Sequence, residues 1–236
     1  MTKPLPSRNP VCVALDTPDV ARARALARAL RPHVGFMKLG MEFFYAAGTA
    51  GYEAGGAGGL PLFLRPKLHD IPHPVAPGPS PRMPLSPAPA ILNVHAQGGL
   101  EMMRQARAAV GGKTKLIAVT ILTSLSTDDI HQTGLDAARD TAAHAQSLAL
   151  LAQRAGLDGV VCSPHDLMGI RAACGRDFLT VVPGIRPEQA EAHDQKRIAT
   201  PQAALAAGAD ILVIGRAITG ATDPAAAAAR IQADLA

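Results

Sequence analysis

Eight short apolar runs alternate with helical patterns along this chain, and the alternation constrains the fold more than any other feature. The runs lie at 11–15, 35–39, 60–64, 90–94, 115–119, 159–162, 178–182 and 211–214. Strands separated by helices are typical of a parallel sheet. Eight of them within 236 residues favour an α/β fold with a single closed (β/α)8 TIM barrel over an open doubly wound sheet.

The predicted domain organisation is simple apart from one segment. Residues 1–10 are interpreted as a short N-terminal extension and residues 11–236 as the barrel domain. Between the third and fourth strands, where a helix is expected, residues 72–89 are rich in proline. Proline lacks the N–H donor and clashes with the preceding helical turn. We therefore predict that the helix after the third strand is disrupted.

Composition excludes several classes of function. The net charge of +4 comes without a basic run or an aromatic platform, so nucleic-acid binding is not indicated. We expect no membrane span, because no apolar run reaches the necessary length. Three cysteines without framework spacing and an N-terminus without an apolar signal sequence favour a reducing, cytoplasmic location.

Polar and charged residues collect at the strand ends. They are Asp16, Lys38, Arg65, Lys67, Asp70, Thr123, Arg186, Gln195, Gly215 and Arg216. In a barrel these ends converge on one face, where chemistry is done. After strands seven and eight, arginines suit a phosphate group, although two ordinary surface arginines remain an alternative. Similarly, the lysines near carboxylates could stabilise and protonate a carbanion, or could simply form ion pairs at the rim.

The spacing of the histidines does not predict a metal site. His69 and His73 are four residues apart, a spacing that brings two ligands together on a helix. Pro72 and Pro74 exclude that helix, so we expect no metal there. His95 is either a polar lining residue or a satisfied core histidine.

Nine motifs carry a resemblance to a known family. They are Val13-Ala-Leu-Asp16, Met37-Lys-Leu-Gly40, Lys67-Leu-His-Asp-Ile-Pro72, Asn93-Val-His-Ala96, Thr120-Ile-Leu-Thr-Ser124, Asp158-Gly-Val-Val-Cys-Ser163, Pro183-Gly-Ile-Arg-Pro187, Asp194-Gln195 and Val213-Ile-Gly-Arg216. As a set they resemble the orotidine 5′-phosphate decarboxylase family, whose members make UMP. The resemblance implies a (β/α)8 barrel that needs no cofactor and no metal and works as a homodimer.

The resemblance also implies roles for single residues. Asp16 and Lys38 would bind the ribose, and Lys67 would protonate C6 of the pyrimidine after carbon dioxide leaves. Asp70 would reach into the partner subunit's site and complete a Lys-Asp-Lys-Asp array.

The remaining assignments concern the nucleotide and its phosphate. Thr123 and Gln195 would line the nucleotide site, while Arg186, Gly215 and Arg216 would hold the phosphate. Binding of that phosphate would drive loop closure and assist the chemistry.

Two departures from the family pattern affect these expectations. The family reads Asp-x-Lys-x-x-Asp-Ile-Pro-Asn-Thr, whereas this chain has Arg65 for the first Asp and His73-Pro74 for Asn-Thr. Arg65 reverses a charge next to both lysines, and Pro74 lacks the hydroxyl that the family's Thr offers to the partner site. We therefore expect a decarboxylase whose activity is reduced. The alternative is a catalytically impaired barrel whose function is to bind nucleoside monophosphates.

Two further hypotheses account for the sequence differently. A related sugar-phosphate decarboxylase or epimerase barrel would need a metal, for which no credible ligand cluster is present. Alternatively, an error in reading the gene sequence could explain the departures, since one inserted C and one lost G change Leu-Asp-Leu-Lys into Leu-Arg-Pro-Lys. Resequencing the source gene tests this hypothesis, and confirmation of Arg65 would refute it.

Overall fold

The computed structural model is a closed barrel of eight parallel strands in sequential order. It describes residues 5, 9–55, 59–72, 85–187 and 197–235. The strands are Val11–Ala14 (β1), Phe36–Leu39 (β2), Leu62–Leu68 (β3), Ile91–His95 (β4), Lys115–Val119 (β5), Gly159–Val161 (β6), Leu179–Val182 (β7) and Ile211–Ile214 (β8). The predicted (β/α)8 TIM barrel is thus confirmed, and each of the eight strands lies within or overlaps its predicted run.

Helices follow most of the strands and cover the outside of the barrel. They are Val20–Leu30 (α1), Met41–Gly55 (α2), Gly99–Ala109 (α3), Thr127–Gln132 (α4), Thr141–Arg154 (α5), Leu167–Cys174 (α6), Pro201–Ala206 (α7), Arg216–Thr219 (α8) and Pro224–Asp234 (α9). Short 3₁₀ helices at Ala96–Gly98 and Pro164–Asp166 precede α3 and α6. No helix in the described ranges is both long and apolar enough to cross a membrane.

The start of α1 differs from its prediction. A Thr-Pro pair is typical of a capped helix start, so the sequence predicts that Thr17 and Pro18 cap and open this helix, but Asp19 is its N-cap. The Asp19 carboxylate accepts hydrogen bonds from the backbone N–H groups of Ala21 at 2.8 Å and Arg22 at 3.2 Å. The Thr17 hydroxyl instead accepts the N–H of Asp19 at 3.3 Å and therefore stabilises the turn before the helix.

Side chains of alternate strand residues form two apolar layers. The inner layer, inside the barrel, consists of Cys12, Ala14, Phe36, Phe63, Ile91, Ile117, Leu179, Val181, Ile211 and Val213. The intervening strand residues, such as Val13, Met37 and Leu64, pack against the helices in the larger outer layer. Because side chains alternate along a strand, Lys38 shares the inward phase of Phe36, and Arg65 shares that of Phe63.

The third strand is longer than predicted. It was expected to end at Leu64 but continues to Leu68, because Leu68 pairs again with Val94 of β4. Residues 73–84, including His73 and Pro74, lie outside the described residues, and so does most of the segment predicted to disrupt the helix. Residues 85–90 form no helix, and Leu85 is buried in the outer core.

A buried ion pair links the segments that follow β6 and β7. Arg197 Nη1 lies 2.8 Å from Asp166 Oδ1, and their side chains are only 8% and 0% exposed. Burial raises the pKa of Asp166, while the nearby Arg197 guanidinium opposes that rise. The second terminal nitrogen of Arg197 donates to the backbone oxygens of Ile121 and Leu122. The pair therefore supports a segment that precedes Thr123.

We predict that Asp166→Asn lowers the free energy of unfolding by about 3 kcal/mol, because it leaves the buried Arg197 cation without a counter-charge. Urea denaturation followed by circular dichroism measures this change. Asp19→Asn is the matched control, since asparagine also caps helices well, and should change stability by less than about 0.5 kcal/mol. Equal stability of the Asp166 and Asp19 variants would contradict the assigned role of the pair.

Candidate active site

A cavity of about 320 Å³ opens among the carboxyl ends of the strands. Seven of the nine proposed site residues line it: Asp16, Lys38, Lys67, Thr123, Arg186, Gly215 and Arg216. Asp70 is exposed and is not among the lining residues. Gln195 lies outside the described residues. Arg65, which the sequence marked as a departure, lines the same cavity.

Asp16 and Lys38 form the ion pair at the β1–β2 side of the cavity. Lys38 Nζ lies 3.0 Å from Asp16 Oδ1, and the lysine side chain is 5% exposed while that of the aspartate is 47% exposed. Burial lowers the pKa of Lys38, Asp16 opposes that effect, and Arg65 adds to it. A side chain at Gly40 would place its Cβ only 2.8 Å from Asp16 Oδ1, so glycine leaves the space that this carboxylate occupies.

The end of β3 contains a bulge, and both cationic residues of this segment, Arg65 and Lys67, line the cavity. Three residues separate Leu64 from Leu68 on β3, whereas one residue separates their β4 partners, Leu92 and Val94. Pro66 lies in this bulge, as expected for a residue without an N–H for the ladder. Lys67 follows it with φ 51, a conformation uncommon for non-glycine residues.

Asn93 of β4 holds this bulge in place. Its Oδ1 accepts the backbone N–H of Lys67 at 3.1 Å, and Asn93 itself is fully buried. Asn93 belongs to one of the nine motifs, but the motif alone predicts no role for it. A buried polar residue inside an otherwise apolar strand needs a hydrogen-bond partner. The position of Asn93 in such a strand was therefore the sequence signal for a structural role.

Arg65 and Lys67 are cations without a carboxylate partner in the part of the chain that the structure describes. Arg65 Nε is buried and makes no hydrogen bond there. Burial lowers the pKa of the Arg65 guanidinium, and Asp16 opposes that shift. Burial also lowers the pKa of Lys67 to about 8, with further lowering from Arg65 and then from Lys38. Lys67 is therefore still mainly protonated at neutral pH.

The histidines beside this site stack on each other. The rings of His69 and His95 have centroids 5.4 Å apart and an interplanar angle of 23°. Burial lowers the pKa of His95 to about 4, and the nearby Lys67 cation lowers it further. His95 is thus a neutral ring at the edge of the cationic group. Within the described ranges, no group of three or more His, Cys, Asp or Glu residues could hold a metal ion.

The opposite side of the cavity is formed by the residues after β7 and β8. Arg186 is 7% exposed, and one of its terminal nitrogens donates to the Ile185 backbone oxygen at 2.9 Å. Burial lowers the pKa of Arg186, and the neighbouring Arg216 lowers it further. Two arginines held this close, next to Gly215, favour a ligand with a dianionic group such as phosphate.

Comparison with known proteins identifies the family. A sequence profile described as "Orotidine 5'-phosphate decarboxylase / HUMPS family" matches residues 9–231. The chain belongs to this family.

Individual relatives agree with the family match. An orotidine 5′-phosphate decarboxylase of Rhodospirillum rubrum is 50% identical over 97% of this chain and 95% of its own length. One from Paramagnetospirillum magneticum is 48% identical over 96% of this chain and 98% of its own. The crystal structure of the Lactobacillus acidophilus orotidine 5′-phosphate decarboxylase superposes with a TM-score of 0.80 at 36% identity, covering 96% of this chain and 98% of that one.

We predict that Arg65→Leu raises the pKa of Lys67 above about 8, because the substitution removes a neighbouring positive charge. The rate at which an amine-specific reagent acylates Lys67, followed by peptide mass spectrometry across pH, measures the titration. Arg104→Leu on the exposed face of α3 removes a cation outside the cavity and should leave the midpoint unchanged. An unchanged midpoint in Arg65→Leu would mean that burial and Lys38, and not Arg65, set the pKa of Lys67.

Proposed function

We propose that this enzyme decarboxylates orotidine 5′-phosphate to UMP in pyrimidine biosynthesis without a cofactor, and that Lys67 is the proton donor. The bond between C6 and the carboxylate breaks, carbon dioxide leaves, and the electron pair remains on C6. The Lys67 ammonium then gives its proton to C6 and regains one from water. Overall, orotidine 5′-phosphate and one proton give UMP and carbon dioxide.

The observation that carries this proposal is the placement of two cationic groups across one cavity. Lys67 is on β3, and Arg186 and Arg216 follow β7 and β8. In the closed strand order, β3 and β7 are four strands apart and so lie on opposite sides of the barrel. A nucleotide lying across the cavity would therefore place its phosphate at the arginines and its base at Lys67.

The remaining lining residues fit a nucleotide in this orientation. Asp16 and Lys38 present a hydrogen-bonded carboxylate and ammonium between the two ends, where hydroxyl groups of the ribose would lie. Thr123 lines the β5 side with a hydroxyl group that can donate or accept. Gly215 leaves the backbone open beside Arg216 for a close approach of the phosphate.

Arg65 is expected to impair the chemical step. A substrate carboxylate carries a negative charge that disappears as neutral carbon dioxide forms, so a cation beside it stabilises the ground state more than the transition state. At a separation of about 4 Å and an effective dielectric of about 20, the interaction is roughly 4 kcal/mol. If the transition state loses that interaction, the rate falls by about a thousandfold.

We predict that Arg65→Asp increases kcat by up to about a thousandfold, because a carboxylate beside the substrate replaces the stabilising cation. Loss of orotidine 5′-phosphate absorbance, with UMP measured chromatographically, gives the rate. The double variant Arg65→Asp, Lys67→Met should lose this gain, because it has no proton donor. A parent that matches Arg65→Asp in kcat would show that the Arg65 charge does not act on the reacting carboxylate.

We further propose that the enzyme works as a homodimer in the cytoplasm and that Asp70 completes the partner's site. In support, Asp70 is exposed beside the cavity instead of lining it, and its neighbour Ile71 is 66% exposed. An exposed aliphatic side chain next to a charged one suits a subunit contact. The three buried free cysteines agree with a reducing compartment.

We predict that two inactive variants complement each other when mixed. In the Arg65→Asp background, Lys67→Met and Asp70→Ala should each be inactive, because each removes one group of a shared site. Subunit exchange should restore about a quarter of the sites, since half the dimers are mixed and each contains one intact site. Steady-state rates after denaturation and joint refolding measure this, and no recovery despite dimers by sedimentation would exclude a shared site.

One second candidate function has a specific observation in its favour. The buried Arg65 favours a barrel that binds nucleoside monophosphates with little or no turnover. Binding of UMP by the parent, with turnover absent in both the parent and Arg65→Asp, would favour this candidate. The metal-dependent sugar-phosphate alternative is tested by a chelator, which should leave turnover unchanged if the proposal is correct.

A further inference from the structure

We infer that Arg65 makes the resting site selective for pyrimidine nucleotides that carry a carboxylate on the base, so that the parent binds orotidine 5′-phosphate more tightly than UMP. The inference rests on the proposed function for the orientation of the nucleotide. It goes beyond that function because it assigns Arg65 a role in specificity for binding, separate from its effect on the reaction.

The cavity has an excess of positive charge at its β2–β3 side. Lys38, Arg65 and Lys67 all line it there, and Asp16 is the only carboxylate among the described lining residues. Asp16 is already bound to Lys38 at 3.0 Å. Neither Arg65 nor Lys67 has an ion-pair partner within the described ranges, and Asp16, whose charge acts on Arg65 from a distance, is already paired with Lys38. An anion from a ligand could therefore pair directly with both groups.

Arg65 is also a hydrogen-bond donor in need of an acceptor. Its Nε is buried with no partner in the described part of the chain. Leaving a buried donor unsatisfied is costly, and the cost disappears when a ligand supplies an oxygen. The planar guanidinium fork matches a carboxylate through two parallel hydrogen bonds, which a single lysine cannot make.

The position of Arg65 favours a carboxylate over a second phosphate. Arg186 and Arg216 already form a separate basic pair across the barrel, which suits the 5′-phosphate. Arg65 is two residues before Lys67 on the same strand, and both residues line the cavity. A group attached to the base carbon that Lys67 would protonate therefore lies within the reach of Arg65.

The comparison of orotidine 5′-phosphate with UMP isolates this interaction. Both ligands have the same ribose and the same phosphate, and they differ by the carboxylate on C6. Short ultrafiltration of the intact parent with each nucleotide gives the two dissociation constants, and chromatography of the same samples measures any UMP formed. We expect orotidine 5′-phosphate to bind at least about tenfold more tightly, as for a charge-assisted hydrogen-bonded pair.

Variants of Arg65 test whether this residue is responsible. Arg65→Leu should reduce the ratio of the two affinities by about tenfold while leaving UMP binding nearly unchanged, which also shows that the variant is folded. Arg65→Lys should retain part of the preference, because it keeps the charge without the fork. Arg104→Leu, with a cation removed outside the cavity, should retain the full ratio.

The pH dependence of the affinity ratio distinguishes a preference based on charge from one based on the shape of the ligand. Several ionisable groups surround Lys67: Asp16, Lys38, Arg65, His69 and His95. Lys67, whose pKa is lowered to about 8, loses its charge between pH 7.5 and 9. The ratio of affinities should therefore fall between pH 7.5 and 9, whereas a preference based on shape would stay constant.

Equal affinities for the two nucleotides, or an unchanged ratio in Arg65→Leu, would overturn the inference. Failure of the proposed function has a different signature. If Arg65→Asp shows no turnover but the parent still prefers orotidine 5′-phosphate through Arg65, the binding specificity holds and the decarboxylase proposal fails. If Arg65→Asp is active and the parent shows no preference for either nucleotide, the decarboxylase proposal holds and the binding specificity of Arg65 fails.

Discussion

Closure of the barrel is the constraint on which the rest of this structure depends. Parallel pairing of β1 with β8, for example of Val11 with Leu212, completes the ring of strands. Once the ring is closed, each inward residue at a carboxyl end faces residues from strands far away in sequence. Charges on β2 and β3 consequently share one cavity with arginines that follow β7 and β8.

The two ends of the barrel differ in how completely their cations are paired. At the amino ends of the strands, cations are paired: Asp158 binds Arg107 at 2.7 Å and Lys115 at 3.0 Å. Arg171 likewise binds Asp210 at 2.6 Å. At the carboxyl ends, Lys38 is paired with Asp16 and Arg197 with Asp166, whereas Arg65 and Lys67 are unpaired within the described residues. Groups whose charges are satisfied by the protein hold the fold, while unsatisfied groups are available to a ligand.

Arg65 and Pro66 change the same strand in two ways. Pro66 removes an N–H from the ladder and coincides with the bulge, which Asn93 bridges to the Lys67 backbone. Arg65 adds a positive charge that lowers the pKa of Lys67. The barrel accommodates both residues, since β3 pairs with β4 again at Leu68. Its architecture is therefore retained while the electrostatics of the cavity are altered.

The sequence by itself determined the architecture, the family and most of the residues that meet at the cavity. Apolar runs of strand length fix how many strands form, and the alternation of side chains fixes which residues point inward. The extension of β3 and the capping of α1 by Asp19 were not predicted, because strand pairing and competing hydrogen bonds decide them. Only the tertiary structure decided the partners of each charge. Contacts between distant segments determine which charges are buried, where the bulge at Lys67 forms and which described groups lie near Arg65. Periodicity and motif spacing do not encode these contacts.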